Sequence, residues 1–456
     1  MLATLRGTKL GVAVVSLLLY GRLFGIGVLM DSWVFASGVV AATGMFLWGP
    51  VNEIARSHFL RHAASDGYRT ATAGATRLLR FTALGSALVA VSMWLTGPWI
   101  LRALYGGTDP ASEILVLRVF TLMLPSLVLG QILSLGVAYL NCCEVIYSPE
   151  LIGVSAALAS LACVFWLAPT LGVYSLVVAH YLGLALSSGS VLFMLSRRRF
   201  LNASWRPLID PTVTDYLGSS APLFFSYGAG QANGLLEKAL ASSIGVGALA
   251  SVNYAAQIKS TLQAVITSVL FSLAVPRLTQ AATRKEGWPV FATAWRDVQR
   301  VVMVFLLAVL PPLWGGANLI ADVLFGSAKV GADQLDLVAD LIRLYLMALI
   351  AVALYLVHGS ALLAQRKARS YAIWGVAGQL LSALICVALF RPLGPRVFPL
   401  ALLASHGVVA VAMARAVGPS RRLWVELIAW LSVIALACLL VSSLACWIQT
   451  NCSYAR

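Results

Sequence analysis

Long apolar segments recur along nearly the whole chain and predict membrane-spanning helices. Windows of 18 or more mostly apolar residues are long enough to cross a hydrocarbon core of about 30 Å at 1.5 Å per residue. The sequence lacks the short alternating segments that β-barrel strands require. We place about thirteen spans, at residues 10–30, 32–50, 81–104, 114–140, 150–168, 172–195, 217–244, 249–276, 299–324, 338–363, 371–390, 397–414 and 424–447.

Composition agrees with this pattern. The 456 residues are 60% hydrophobic and 11% charged, and the mean hydropathy is +0.88. The chain is therefore predicted to be an all-α polytopic membrane protein. The first apolar run has no small-residue cleavage signature and contains Arg22, so we interpret it as the first span and not as a signal peptide.

Basic residues alternate between connections and predict the orientation of the chain. Cytoplasmic loops of membrane proteins hold an excess of Lys and Arg. We therefore expect a cytoplasmic N-terminus and an external C-terminus. The same rule accounts for the net charge of +15 without a nucleic-acid partner. The basic connections contain Arg6 and Lys9; Arg56, Arg61, Arg69, Arg77 and Arg80; Arg197, Arg198, Arg199 and Arg206; Arg277, Arg284, Lys285 and Arg296; Arg366, Lys367 and Arg369; Arg415, Arg421 and Arg422.

Two stretches resemble each other at an offset of roughly 220 residues. "ILRALYGG" in the first half and "IADVLFGS" in the second each precede a connection, a long apolar helix and a broken helix pair. Such repeats usually form two bundles with the substrate path between them. We predict two pseudo-symmetric six-helix bundles around a central cavity, at residues 1–200 and 201–415. Residues 416–456 would add one helix and a tail.

Charged residues inside apolar spans are the best pointers to function, because a charge at mid-membrane costs several kcal/mol unless it faces protein or water. Asn233, Glu237 and Lys238 have helical spacing in the seventh span. Asn253, Gln257 and Lys259 have similar helical spacing in the eighth span. With Arg22, Arg118 and Arg343, these side chains are predicted to line a polar cavity. The alternative interpretation is structural: Glu237 and Lys238 neutralise each other, or the lysines extend toward an interface.

Catalytic and metal-binding patterns are missing from the sequence. It has no Walker loop, metalloprotease signature or GxSxG, and its seven cysteines have no CxxC spacing. His58 and His62 are four residues apart, but arginines flank them, so we favour a solvated basic face over a metal site. We expect no enzyme activity, no catalytic residue, no metal and no cofactor.

Several segments resemble a known transporter family. "GRLFGIGVLMDSWVFAS" followed by "GMFLWGPVNEIARSHFL", and later "LLEKALASSIGVGALASVNYAAQIKSTLQAVITSVLFSLAVPRLTQAA", are similar to segments of MurJ/MviN-type flippases. These proteins belong to the multidrug/oligosaccharidyl-lipid/polysaccharide exporter superfamily. The resemblance implies a V-shaped bundle that moves a polyprenyl-diphosphate-linked sugar to the outer leaflet by alternating access.

Individual positions both match and depart from the family pattern. Asp31 matches the acidic residue of the first motif, whereas Gln257 occupies the place of a functional arginine in lipid II flippases. Arg22 is the basic group left in the first span, and Trp48 replaces an acidic residue. The substrate is therefore either a lipid II-like peptidoglycan precursor or a repeat unit of exopolysaccharide or O-antigen.

The flippase function implied by the resemblance suggests a role for each charged residue within the membrane. Arg22, Arg118, Lys238, Lys259 and Arg343 would hold phosphate. Asn233, Asn253 and Gln257 would complete the substrate site. Asp31, Glu53 and Glu237 are candidates for ion coupling or gating, with Na⁺ or H⁺ as the ion.

The expected setting is the cytoplasmic (inner) membrane of a bacterium. The partners would be the lipid-linked glycan and membrane lipids, and we expect a monomer. The main alternative is an ion-coupled drug or metabolite exporter of the MATE type. A membrane-embedded glycosyltransferase is less favoured, because the external connections are short.

Overall fold

The computed structural model is built from α-helices, with no strand among the residues it describes. These are residues 2–106, 110–145, 147–198, 200–201, 211–270, 275–283, 287–326, 330–419 and 421–453. The all-α fold is thus confirmed. The helices are α1 Leu2–Phe24, α2 Val28–Ser65, α3 Tyr68–Leu104, α4 Pro110–Met123, α5 Ser126–Cys142, α6 Tyr147–Leu171, α7 Tyr174–Arg197, α8 Pro211–Ile244, α9 Ala248–Val269, α10 Val275–Thr283, α11 Trp288–Gly315, α12 Ala317–Phe325, α13 Ala332–Ala364, α14 Ala368–Leu393, α15 Val397–Val417 and α16 Arg421–Ser453.

Wherever the structure describes them, the predicted spans are mostly helical. Within the described residues, nine segments are long and apolar enough to cross a membrane, or ten if the bent pair α4 and α5 is one span. One of these segments, Ala368–Val417, contains both α14 and α15. α8 and α9 are not among them. Thirteen crossings therefore stay a prediction.

The connection predicted between the second and third spans is largely helical. α2 continues to Ser65 and α3 begins at Tyr68, so residues 51–80 extend both helices and do not form a loop. The 38 residues of α2 would measure about 57 Å at 1.5 Å per residue, well beyond a hydrocarbon core of about 30 Å. Gly67, at φ 85°, makes the turn between them.

The predicted break between the first two spans, at residue 31, is wrong. α1 ends at Phe24 and α2 begins at Val28. Gly25 has a positive φ of 62°, which a residue with a Cβ rarely adopts, and it reverses the chain here. Asp31 therefore lies in the first turn of α2 and is only 5% exposed.

The chain divides into two compact units, Met1–Leu249 and Ala250–Arg456. In the first unit α2 is central and packs against α3, α4, α5 and α8. By its contacts α8 thus belongs with the first unit. The boundary at residue 200 predicted from the internal repeat stays a prediction.

An aromatic core joins several helices of the first unit. The rings of Phe59 on α2, Tyr139 on α5 and Phe200 lie 5.3–5.8 Å apart by their centroids. All three are almost fully buried, and Tyr216 of α8 adjoins this core. The core fixes the first turns of α8 against the extended part of α2.

In the second unit α13 is central and packs against α10, α11, α12 and α15. Its buried residues recur on nearly every turn. A buried hydrogen bond of 3.1 Å from Trp295 Nε1 to His358 Nδ1 joins α11 to α13. α16 packs against α11, where Arg300 donates two hydrogen bonds to the carboxylate of Glu426.

Candidate functional site

The three polar residues predicted in the seventh span, Asn233, Glu237 and Lys238, all lie on α8. Asn233 is 8% exposed and donates a hydrogen bond of 3.2 Å from Nδ2 to Oε1 of Glu237, one helical turn later. Glu237 and Lys238 are both half-buried. Because adjacent residues on a helix point about 100° apart, the two charges meet different neighbours.

Lys238 lies against the backbone of α2. A Cβ built on Gly38 would lie only 2.8 Å from Cδ of Lys238, and Cε is nearer still. The glycine therefore leaves room for the aliphatic part of the lysine side chain. Burial of this stem positions one cation of α8 about three turns into α2.

Two further polar contacts lie along α2, about four turns after Gly38. The hydroxyl of Tyr227 on α8 donates a 2.7 Å hydrogen bond to Oε2 of Glu53. Asn52 and Gln131 of α5 form a reciprocal amide pair, with N–O distances of 3.2 and 3.1 Å. The polar side chains of α2 are thus engaged by both α8 and α5.

Asp31 connects the beginning of α2 to the turn between α8 and α9. Its Oδ2 accepts a 2.6 Å hydrogen bond from the backbone N–H of Gly247. Gly247 has a φ of 84° and is buried. A carboxylate that is buried and bound to a turn is well placed to hold that turn in one arrangement.

The two arginines predicted as cavity residues in the first half are both exposed. Arg22, on the last turn of α1, is exposed. Arg118, on α4, is exposed as well. The structure therefore brings Lys238, Asn233, Glu237 and Glu53 onto one pair of helices but leaves both arginines at the surface of the unit.

In the second unit, the polar residues of α9 differ in burial. Asn253 and Lys259 are half-buried, and Gln257 is exposed. Lys259 lies close enough to His406 of α15 to affect it electrostatically.

Arg343 has nearby partners. It donates hydrogen bonds to Asn318 at 2.9 Å and to Asp340 at 3.3 Å. Asp340 also accepts a 2.8 Å bond from Arg396. A phosphate at Arg343 would compete with these contacts.

Sequence reasoning missed Tyr227 and Gln131 as site residues. Gln131 could have been found, because it is an amide in the apolar run "LVLGQILSL". Nothing in the sequence indicates that Tyr227 reaches Glu53, since 174 residues separate them.

The interpretation of His58 and His62 as a solvated basic face is wrong for His58, which is 2% exposed. Its Nε2 lies 3.1 Å from Oγ of Ser219, on α8. His62 is half-buried, and its Nδ1 lies 2.8 Å from Oδ2 of Asp66. This hydrogen bond lowers the pKa of the Asp66 carboxyl below its ordinary value.

A model of a known protein family matches almost the whole chain. The profile of the family described as "Lipid II flippase MurJ" matches residues 22–454. A curated relative, "Probable lipid II flippase MurJ" of Treponema pallidum (strain Nichols), is 26% identical over 179 residues, which are 39% of this chain and 34% of the relative. The chain thus spans about a third of the length of that relative.

Solved structures share the fold. "Lipid II flippase MurJ, inward closed conformation" matches with a TM-score of 0.78 at 14% identity, over 100% of this chain and 99% of that one. An inward-facing MATE family transporter of the MOP superfamily matches with a TM-score of 0.72 at 14% identity, over 91% of this chain and 93% of the other. At 14% identity, these matches show a shared fold and nothing more.

Proposed function

Because the chain belongs to the lipid II flippase MurJ family, we propose that it moves a polyprenyl-diphosphate-linked sugar from the inner to the outer leaflet of a bacterial cytoplasmic membrane. The observation that carries the proposal is the family match over residues 22–454. The fold shared with a lipid II flippase along the full chain supports it. Transport without covalent change would need no catalytic residue.

The contacts of α8 support a role for this helix in holding the substrate. A diphosphate needs a cation, and Lys238 supplies one that is held against Gly38 of α2. Asn233 and Glu237 add an amide and a carboxylate one turn apart, groups that bind sugar hydroxyls. Arg22, Arg118, Lys259 and Arg343 are further candidates for phosphate, and Asn253 and Gln257 for the sugar.

Alternating access requires contacts that form in one state and break in the other. The hydrogen bond from Gly247 to Asp31 and that from Tyr227 to Glu53 are suited to this role, because each joins α2 to α8 or to the turn after it. We assign them to gating. Glu237 is the candidate carrier of Na⁺ or H⁺.

An experiment is needed to identify the sugar that the protein carries. Family membership favours a lipid II-like peptidoglycan precursor, and the exopolysaccharide or O-antigen repeat unit shares its diphosphate chemistry. The test is depletion of the protein in the native cell, followed by extraction of lipid-linked sugars and measurement of their exposure on the outer leaflet. Re-expression of the wild-type chain is the control.

We expect the lipid-linked precursor to accumulate inside and to disappear from the outer leaflet. Accumulation of lipid II would identify the peptidoglycan precursor, and accumulation of another repeat unit would identify that glycan. Unchanged precursor pools together with altered drug tolerance would contradict the proposal and favour the MATE-type exporter.

A further inference from the structure

Two histidines and a carboxylate meet where the extended part of α2 contacts the beginning of α8. They are His58 and His62 on α2 and Asp215 in the first turns of α8. One ligand atom from each lies within 4.8 Å of the others. We propose that these three side chains form a binding site for a divalent transition-metal ion such as Zn²⁺.

Distances between the ligand atoms fit a tetrahedral ion. Nε2 of His58 lies 3.4 Å from Oδ2 of Asp215, and Nε2 of His62 lies 3.3 Å from the same oxygen. Ligands at 2.0–2.1 Å from a tetrahedral metal lie about 3.3–3.4 Å apart. Two of the three separations therefore already have the required value. The spacing of four residues places both imidazoles on one face of α2.

The environment of His62 supports a ligand role. Its Nδ1 lies 2.8 Å from Oδ2 of Asp66. A proton held on Nδ1 by that carboxylate leaves the lone pair on Nε2, which is the atom that faces Asp215. Asp66 thereby fixes the tautomer and the ring orientation, as carboxylates commonly do for histidines bound to zinc.

Ser219 or a water molecule is the candidate for a fourth ligand. Oγ of Ser219 lies 3.1 Å from Nε2 of His58, one turn of α8 after Asp215. Asp215 is exposed and His58 is buried, so the site opens to solvent on the side of the carboxylate. Three protein ligands with one position left for water are a common arrangement for zinc.

Ligand chemistry selects the class of ion. Two imidazoles and one carboxylate favour Zn²⁺, Co²⁺, Ni²⁺ or Cu²⁺ over Mg²⁺ or Ca²⁺, which prefer oxygen ligands only. Asp66 and Asp215 contribute two negative charges, which offset the positive charge of the neighbouring Arg61. A bound ion would join the first turns of α8 to the extended part of α2.

The proposal is tested with the purified full-length chain in detergent after treatment with a chelator. Co²⁺ and Zn²⁺ are added separately, with Co²⁺ binding followed by absorption spectroscopy and Zn²⁺ binding by calorimetry. We expect one ion per chain, a tetrahedral Co²⁺ spectrum and a thermal midpoint that rises with Zn²⁺. His62→Gln and Asp215→Asn should each weaken binding at least about tenfold.

His180→Gln is the matched control, because this histidine lies on α7 beside Trp33, away from the cluster. It should leave the affinity unchanged. Asp215→Asn changes an exposed side chain, so a folded variant is available even if His62→Gln expresses poorly. Failure of the wild-type chain to bind either ion, or equal binding by Asp215→Asn, would overturn the proposal.

Discussion

At the scale of single residues, a glycine on α2 determines where the charged side chain of Lys238 on α8 lies. Gly38 has no side chain where Lys238 approaches, and the stem of the lysine fills the space. Glu237 meanwhile is bound by Asn233 of its own helix. The adjacent acid and base in the sequence thus acquire separate surroundings, which is what two separate roles would require.

Replacement of Lys238 by Met tests its role in transport. Methionine keeps an unbranched stem beside Gly38 but removes the charge. If Lys238 holds phosphate, flipping should fall about tenfold or more, since a hydrogen bond to a charged group contributes about 1.5–3 kcal/mol. The measurement is exposure of the lipid-linked sugar on the outer leaflet in cells that carry only the variant.

Lys9→Met is the control for Lys238→Met. Lys9 is a cation on α1 with a 56% exposed side chain and a long contact of 3.9 Å to Glu150. Such surface pairs contribute little, so flipping should stay normal. Normal flipping by Lys238→Met, at equal expression, would remove this lysine from the proposed site.

At the scale of helices, small residues determine how closely neighbours pack. Gly136 on α5 faces Val191 of α7, and a Cβ on this glycine would overlap Cγ1 of the valine. Val191 is 1% exposed and has a stiff β-branched side chain, so it cannot move aside easily. The contact between α5 and α7 therefore depends on the glycine.

Gly136→Ala should lower the stability of the chain by about 1–3 kcal/mol through overpacking. Gly189→Ala on α7 is the matched control, because nothing lies within 4 Å of the added Cβ. Alanine at such a helix position should stabilise by up to about 1 kcal/mol. Thermal midpoints in detergent measure both, and equal midpoints would contradict the packing argument.

Sequence patterns could predict the helices but not all of their ends. Apolar runs predicted where helices form among the described residues, because hydropathy reports directly on burial in lipid. The helical extensions over residues 51–80 were not predictable in this way, since they are polar and contain no such run. Glycine at residue 25 was a visible signal for the end of α1, but its φ becomes known only from the structure.

The candidate site was partly predictable for a related reason. Charges within apolar helices are evident from the sequence, so Asp31, Glu237 and Lys238 could be named. The partner of Asp31 could not be, because Gly247 is 216 residues away in the chain. The same holds for His58, whose burial depends on Tyr216 and Ser219 of a distant helix.

At the scale of the whole molecule, the distribution of basic residues determines how the chain lies in the membrane. Arg56, Arg61 and Arg69 surround the turn between α2 and α3, whereas Asp333 and Asp336 lie near the beginning of α13. Positively charged connections remain in the cytoplasm. The turn after α2 should therefore be cytoplasmic, and the beginning of α13 should face outward.

Cysteine labelling tests this orientation in a chain whose seven native cysteines are replaced by alanine. Ser65 is the last residue of α2 and Ala332 is the first residue of α13, and both are exposed. Each is replaced by cysteine in a separate variant. In intact cells, a membrane-impermeant maleimide should react with Ala332→Cys and not with Ser65→Cys. Ser65→Cys should react once the membrane is permeabilised, which shows that its thiol is accessible. The reverse pattern in intact cells would place the N-terminus outside, and the direction of transport proposed from the family would then have to be inverted.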